Sequence, residues 1–124
     1  MINDEIFHGH RNAAEFWSMT LDIDHEKNAE DLLGKKGLMM ASRFDVKEPY
    51  DVYVKAKEGD AEALKEFVEY GRRFGIAISN VISVLDPDAI VIGGNVSKSR
   101  EFFAKSMNDE VKKAVPWFEG NISF

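Results

Sequence analysis

The chain contains no cysteine. That excludes disulfides and every thiolate metal site, and it fits a reducing, cytoplasmic setting. Proline is scarce, at positions 49, 87 and 116 only, so long stretches are free of helix breakers. No apolar run approaches the ~20 residues that span a bilayer. The opening MINDEIFHGH lacks the basic start and apolar core of a signal peptide. Positive charge is in deficit: 16 Lys and Arg stand against 22 Asp and Glu, for a formal net charge of -6. A nucleic-acid or anionic-membrane surface needs a basic face, so neither partner is expected. No internal repeat or low-complexity tract is visible. What is present suits one domain with a core: 124 residues, 44% apolar and 11% aromatic.

Residues 2–8, INDEIFH, read as a hairpin turning at Asn3-Asp4 or as a single strand. Residues 16–23, FWSMTLDI, alternate loosely and predict a strand. Residues 25–36 are polar, end near Gly34 and predict a loop or one short helical turn. A short helix is expected over 37–44, broken in the Pro49 segment, and another over about 50–58, closed by Gly59. The clearest pattern covers 61–84. Asp60 is a natural N-cap. Leu64, Phe67, Val68, Gly71, Phe74, Gly75, Ile78 and Ile82 form one apolar stripe, with Glu62, Lys65, Glu66, Glu69, Arg72 and Arg73 opposite. Gly71 and Gly75 each cost about 1 kcal/mol of helix propensity, which close approach to another backbone would explain.

The helix stops at LDPD, because Pro87 disfavours the α region at Asp86. The run 89–92, AIVI, predicts a strand buried on both faces, as in α/β folds. A helix over about 98–114 is capped by Ser97 or Ser99. It carries Phe102, Phe103, Met107, Val111 and Ala114 on one face and Lys112-Lys113 in its last turn. Pro116 ends it, and the apolar tail WFEGNISF is expected to dock or form a strand. The implied class is α/β, with helices packed on a small sheet.

Within this frame the stretch DPDAIVIGGNVS stands out. A strand, a glycine pair and a helix start make a tight turn, and they also make a nucleotide-contact geometry. Absent Cβ atoms let a ligand reach the backbone, and N–H groups near a helix start favour polar or anionic groups. Other candidates are weaker. His8 and His10, or Asp22, Asp24 and His25, could offer metal ligands but read as solvated charges. The pairs Phe102-Phe103 and Met39-Met40 read as core or interface. No nucleophile has an obvious base nearby in sequence.

The run KEGDAEALKEFVEYGRRFGIAISNVISVLDPDAIVIGGNVS resembles the ROK family of bacterial sugar kinases and sugar-responsive repressors, part of the actin-like (ribonuclease H-like) superfamily. The shared features are G-D-x-x-A, a long helix with small residues, and L-D-P-x-x-I-V-I-G-G. The resemblance implies a partial actin-like sugar-kinase lobe in which Gly93 and Gly94 lie beside the adenosine of ATP. Asn95 takes the place of a third glycine. Further back, the family's sugar-contacting G-E-x-G-H falls on Ala14-Glu15-Phe16-Trp17-Ser18, so Glu15 is the retained sugar carboxylate. The family's zinc loop, C-x-C-G-x-x-G-C-L-E, falls on residues 31–40. Gly34 and Gly37 are kept. Asp31, Leu33 and Leu38 replace the cysteines, Ser18 the zinc histidine, and Met40 the terminal glutamate, another sugar contact. No zinc is expected there, and the apolar replacements imply that packing has taken over the metal's role.

The family's phosphate loop, D-x-G-G-T, and its catalytic Asp do not occur in this sequence. The resemblance therefore implies a truncated ROK-like region spanning 1–124, resembling a central part of a kinase chain. Its parts are a strand region (1–24), a degenerate zinc-loop region (25–49), a helix-strand-helix core (50–115) and a tail (116–124). Such a piece should not phosphorylate a hexose by itself. Alternatives are a sugar-sensing domain akin to the repressors, a structural or partner-binding remnant, or half of a split kinase. No helix-turn-helix segment is expected ahead of it, so direct DNA binding is not expected. Apolar surface uncovered by the missing parts, with Gly71, Gly75, Trp117, Phe118 and Phe124 as candidates, implies a homo-oligomer, most simply a dimer, or a missing-lobe partner chain.

Overall fold

A computed structural model describes residues 1–7, 9–10, 15–40 and 48–124. After a 3₁₀ turn at Phe16–Ser18, the elements run β1 (Thr20–Asp22), β2 (Lys27–Asn28), α1 (Ala29–Leu33), α2 (Lys35–Met40), α3 (Pro49–Lys57), α4 (Ala61–Leu85) and β3 (Ala89–Val91). A second 3₁₀ turn, Asn95–Ser99, leads into α5 (Arg100–Ala114) and β4 (Asn121–Ser123). No described helix is long and apolar enough to cross a membrane.

The axis is α4. The Asp60 carboxylate accepts the Ala63 N–H at 2.9 Å, satisfying one of the donors left open by the first turn. The apolar face of α4 lies along α5, where Phe103, Met107 and Val111 are buried against Phe67, Phe74, Ile78 and Ile82. The glycines set the spacing. A Cβ at Gly75 would stand 2.6 Å from the Met107 carbonyl oxygen, and one at Gly71 would be closer still to that of Phe103. Only hydrogen fits, so the expected backbone approach is to α5. These glycines therefore do not lie on an open association surface, which corrects the expectation that the missing parts leave them uncovered.

The sheets are small. β1 and β2 pair antiparallel with a bulge, and β3 and β4 pair parallel in the register Ala89↔Asn121, Ile90↔Ile122, Val91↔Ser123. The tail thus forms the expected strand. Phe118 and Phe124 pack against the core, while Trp117 is half exposed.

Several expectations need correction. β3 is not buried on both faces: Val91 is 75% exposed and Ala89 is exposed too, because among the described residues its sheet has only one further strand. Residues 16–23 split into a 3₁₀ turn and a three-residue strand. Residues 25–36 hold the five-residue α1, in line with the short-helix alternative, together with β2 and the start of α2, which were not expected. There, an Asn28–Asp31 capping box starts α1. Pro49 opens α3 at its first turn, where its missing N–H costs nothing. Gly59, at φ +84, closes α3 as expected. On α4, Val68 is exposed and Glu66 buried, the reverse of the simple stripe. Ala114 is exposed on α5. Ser99 is the α5 N-cap residue without a side-chain cap bond. The N-terminal reading reduces to one bridge, Ile2↔Glu5, turning at Asn3 and Asp4 with positive φ. His8, Ala14, the second half of the expected 37–44 helix and the Met39-Met40 side chains lie outside the described residues.

Candidate functional site

The glycine pair follows β3 directly. Ile92 is buried and donates its N–H to the Ser123 carbonyl at 2.8 Å, which anchors the strand end. The chain then leaves the protein body. Gly94 has φ +82, in a region side chains rarely adopt. Its carbonyl accepts the Ser97 hydroxyl at 2.7 Å, fixing the turn before α5. Gly93 is different. Its φ is not left-handed, it is exposed, and a Cβ there would meet nothing within 4 Å. Asn95 is exposed beside them.

Asn95, Val96, Lys98 and Ser99 form one wall of a groove of about 820 Å³. The rest of the lining comes from Leu33, Gly34, Lys35 and Leu38 and from Glu48, Pro49, Tyr50 and Tyr53, with Phe67 and Tyr70 contributed by α4. Aromatic rings back this part in series. Tyr50 stacks on Tyr53 at 5.8 Å, Tyr53 meets Phe102 edge-on at 5.9 Å, and Phe102 stacks on Phe67 at 5.3 Å. The rim is charged. Lys35 pairs with Glu48 at 2.6 Å. Outside the groove lining, Lys57, paired with Glu101 at 2.7 Å, lies over the Tyr53 and Phe102 rings, and the Glu101 carboxylate raises its pKa. An aromatic wall with Lys35, Lys98 and Ser99 in the same lining suits a heteroaromatic ligand carrying polar groups.

The other sequence candidates lie apart. Glu15 is exposed, does not line the groove, and opens the 3₁₀ turn by accepting the Ser18 N–H on its carbonyl at 3.1 Å. Trp17 is half exposed and stacks on Phe74 at 6.3 Å. His10 is exposed. Asp22 accepts from His25, whose ring Nδ1 is 2.9 Å away, and that hydrogen bond holds the Asp22 carboxyl below its usual pKa. Asp24 is exposed in the same turn. The positions of the family's zinc ligands do not fit the metal. Leu33 and Leu38 are core residues without donor atoms, Ser18 is exposed, and the Asp31 carboxylate turns back to accept the Asn28 N–H at 3.2 Å.

Sequence reasoning missed the groove's Tyr50 and Tyr53, and it missed Tyr70. Tyr70 sits three residues after Phe67 and four before Phe74, the helical spacing that marks a shared face. That spacing was the available signal.

With this geometry in view, the family model described as "ROK family" matches residues 1–121. The chain belongs to the ROK family. It also matches a solved structure, a candidate sugar kinase from Cytophaga hutchinsonii, with a TM-score of 0.84 at 22% identity. That match covers 99% of this chain and 46% of the other, so the chain spans less than half of that protein's length. At this identity the likeness is one of fold. No curated protein matches the chain.

Proposed function

We propose that these residues form the nucleoside-side part of a ROK-type sugar kinase, a partial actin-like lobe. It holds ATP or ADP at Gly93, Gly94 and Asn95 and does not transfer phosphate on its own. The observation that carries this reading is Gly93. Neither a left-handed φ nor a crowded neighbour requires glycine there. A molecule lying against the backbone would require it. The adjoining groove adds an aromatic wall and polar lining groups that suit a nucleoside. Phosphoryl transfer needs positioned phosphate contacts, a metal ion and a base. These 124 residues contain no D-x-G-G-T, and Glu48 on the groove rim is held by Lys35. Catalysis would therefore draw on a phosphate loop and base from elsewhere. Glu15 remains the candidate hexose carboxylate.

Titration calorimetry with ATP, ADP and hexoses tests the reading. Nucleotide binding that Gly93→Val abolishes is expected, as is no sugar phosphorylation by the isolated chain. A natural chain that binds neither nucleotide would sink the proposal. Hexose binding lost in Glu15→Gln would shift weight to sugar sensing.

A further inference from the structure

We infer that the α1–α2 turn, where the family resemblance places a zinc loop, is a metal-free closure held by a carboxylate cap, two core leucines and the Tyr70 hydroxyl. Asp31, Leu33 and Leu38 stand at the positions that the resemblance gives to zinc cysteines. Asp31 faces back along α1: its carboxylate accepts the Asn28 N–H, and the Asn28 side chain accepts the Asp31 N–H at 2.8 Å. That reciprocal pair satisfies two donors at the helix start. Leu33 and Leu38, on either side of the turn, are 5% and 8% exposed and belong to the main core. Between them the backbone is pinned from α4. The Tyr70 hydroxyl donates to the Leu33 carbonyl at 2.9 Å, with Tyr70 only 3% exposed. Burial pushes the phenol pKa up, so it remains a donor across ordinary pH.

The retained glycines fit the same account. A Cβ at Gly34 would stand 2.5 Å from the Glu30 carbonyl oxygen, and one at Gly37 would run into the Leu32 backbone. The G-x-x-G frame is therefore required by the backbone path of the turn, with or without a metal. A hydroxyl bond to a buried carbonyl and two leucines seated in the core do what a tetrahedral ion does elsewhere: they tie two short helices to a third element.

The test uses the natural chain and one variant. Protein produced in zinc-supplemented medium should carry no zinc above background by plasma mass spectrometry. Its melting curve should be the same with and without a strong chelator. Tyr70→Phe should speed amide exchange over residues 31–38 about tenfold, the loss expected for one buried hydrogen bond, with α5 unchanged. Stoichiometric zinc with chelator-sensitive melting would overturn the inference. So would a Tyr70→Phe chain whose exchange over 31–38 matches the natural one. If that variant does not fold, the chelator comparison on the natural chain decides.

Discussion

Two pairs of glycines occupy opposite situations in this molecule. Gly71 and Gly75 lie inside a helix, where both cost propensity, and they face the backbone of α5 at less than van der Waals distance for any added carbon. Gly93 and Gly94 lie at the end of a strand, facing open space. The first pair is explained entirely by the protein's own packing. The second is explained only in half, by the backbone conformation of Gly94. The contrast separates glycine used for folding from glycine kept for something outside the chain.

The largest effect tests the packed pair. Gly71→Val should cost about 3 kcal/mol in urea denaturation, because beyond the Ser106 hydroxyl the new side chain meets α5 backbone, the Phe103 carbonyl and the Met107 nitrogen, which cannot swing aside. A cost near zero would mean that α4 and α5 can separate freely, and the packing half of the contrast would fail. Gly94→Ala comes next. Space is open there, but φ +82 with ψ -170 belongs to a region nearly restricted to glycine, so the expected cost is about 2 kcal/mol from backbone strain alone.

A smaller effect comes from the one buried charge on the packed helix that lacks a partner. Glu66 is 8% exposed, and its Oε1 accepts no hydrogen bond. Burial pushes its carboxyl above the usual carboxylate range, against a weaker pull from Arg73. The folded chain thus holds this proton more tightly than the unfolded chain. Stability from the protonated form is complete below the unfolded pKa of about 4.3 and is lost as pH rises through the folded value. Glu66→Gln removes that loss. Its expected gain is about 1 kcal/mol at pH 7, shrinking toward pH 4, by denaturation at the two pH values.

These residues also show what was legible from sequence. α4 could be read almost to the residue, since cap, periodicity and the Asp86-Pro87 stop all agree. The family frame was legible because DPDAIVIGG carries a backbone path as well as a composition. The burial of Glu66 and Tyr70 was not. The stripe was drawn from apolar residues alone, and the face covered by α1, α2 and α5 is wider than that. The extent of α1 was hidden because a capping box in a polar stretch looks like a loop or a single turn until both of its partners are placed, whereas a helix overlapping α2 was expected from residue 37. The exposure of β3 was hidden for the opposite reason: its sequence describes a strand within a larger parallel sheet than the described residues supply.

The smallest effect on stability is the most informative for function. Gly93→Val should change the unfolding free energy by no more than about 0.5 kcal/mol, because the position is exposed, unstrained and uncrowded. The same substitution should remove nucleotide binding, since two methyl groups would fill the space against the backbone. A large loss of stability would show that Gly93 serves the fold after all, and the two glycine pairs would then differ in degree rather than in kind. An unchanged stability with unchanged nucleotide affinity would leave Gly93 without a role at this site and would move the ligand into the adjoining groove. Only the combination of an unperturbed fold and lost binding assigns the position to a ligand, which makes denaturation and calorimetry on this one variant the sharpest pair of measurements.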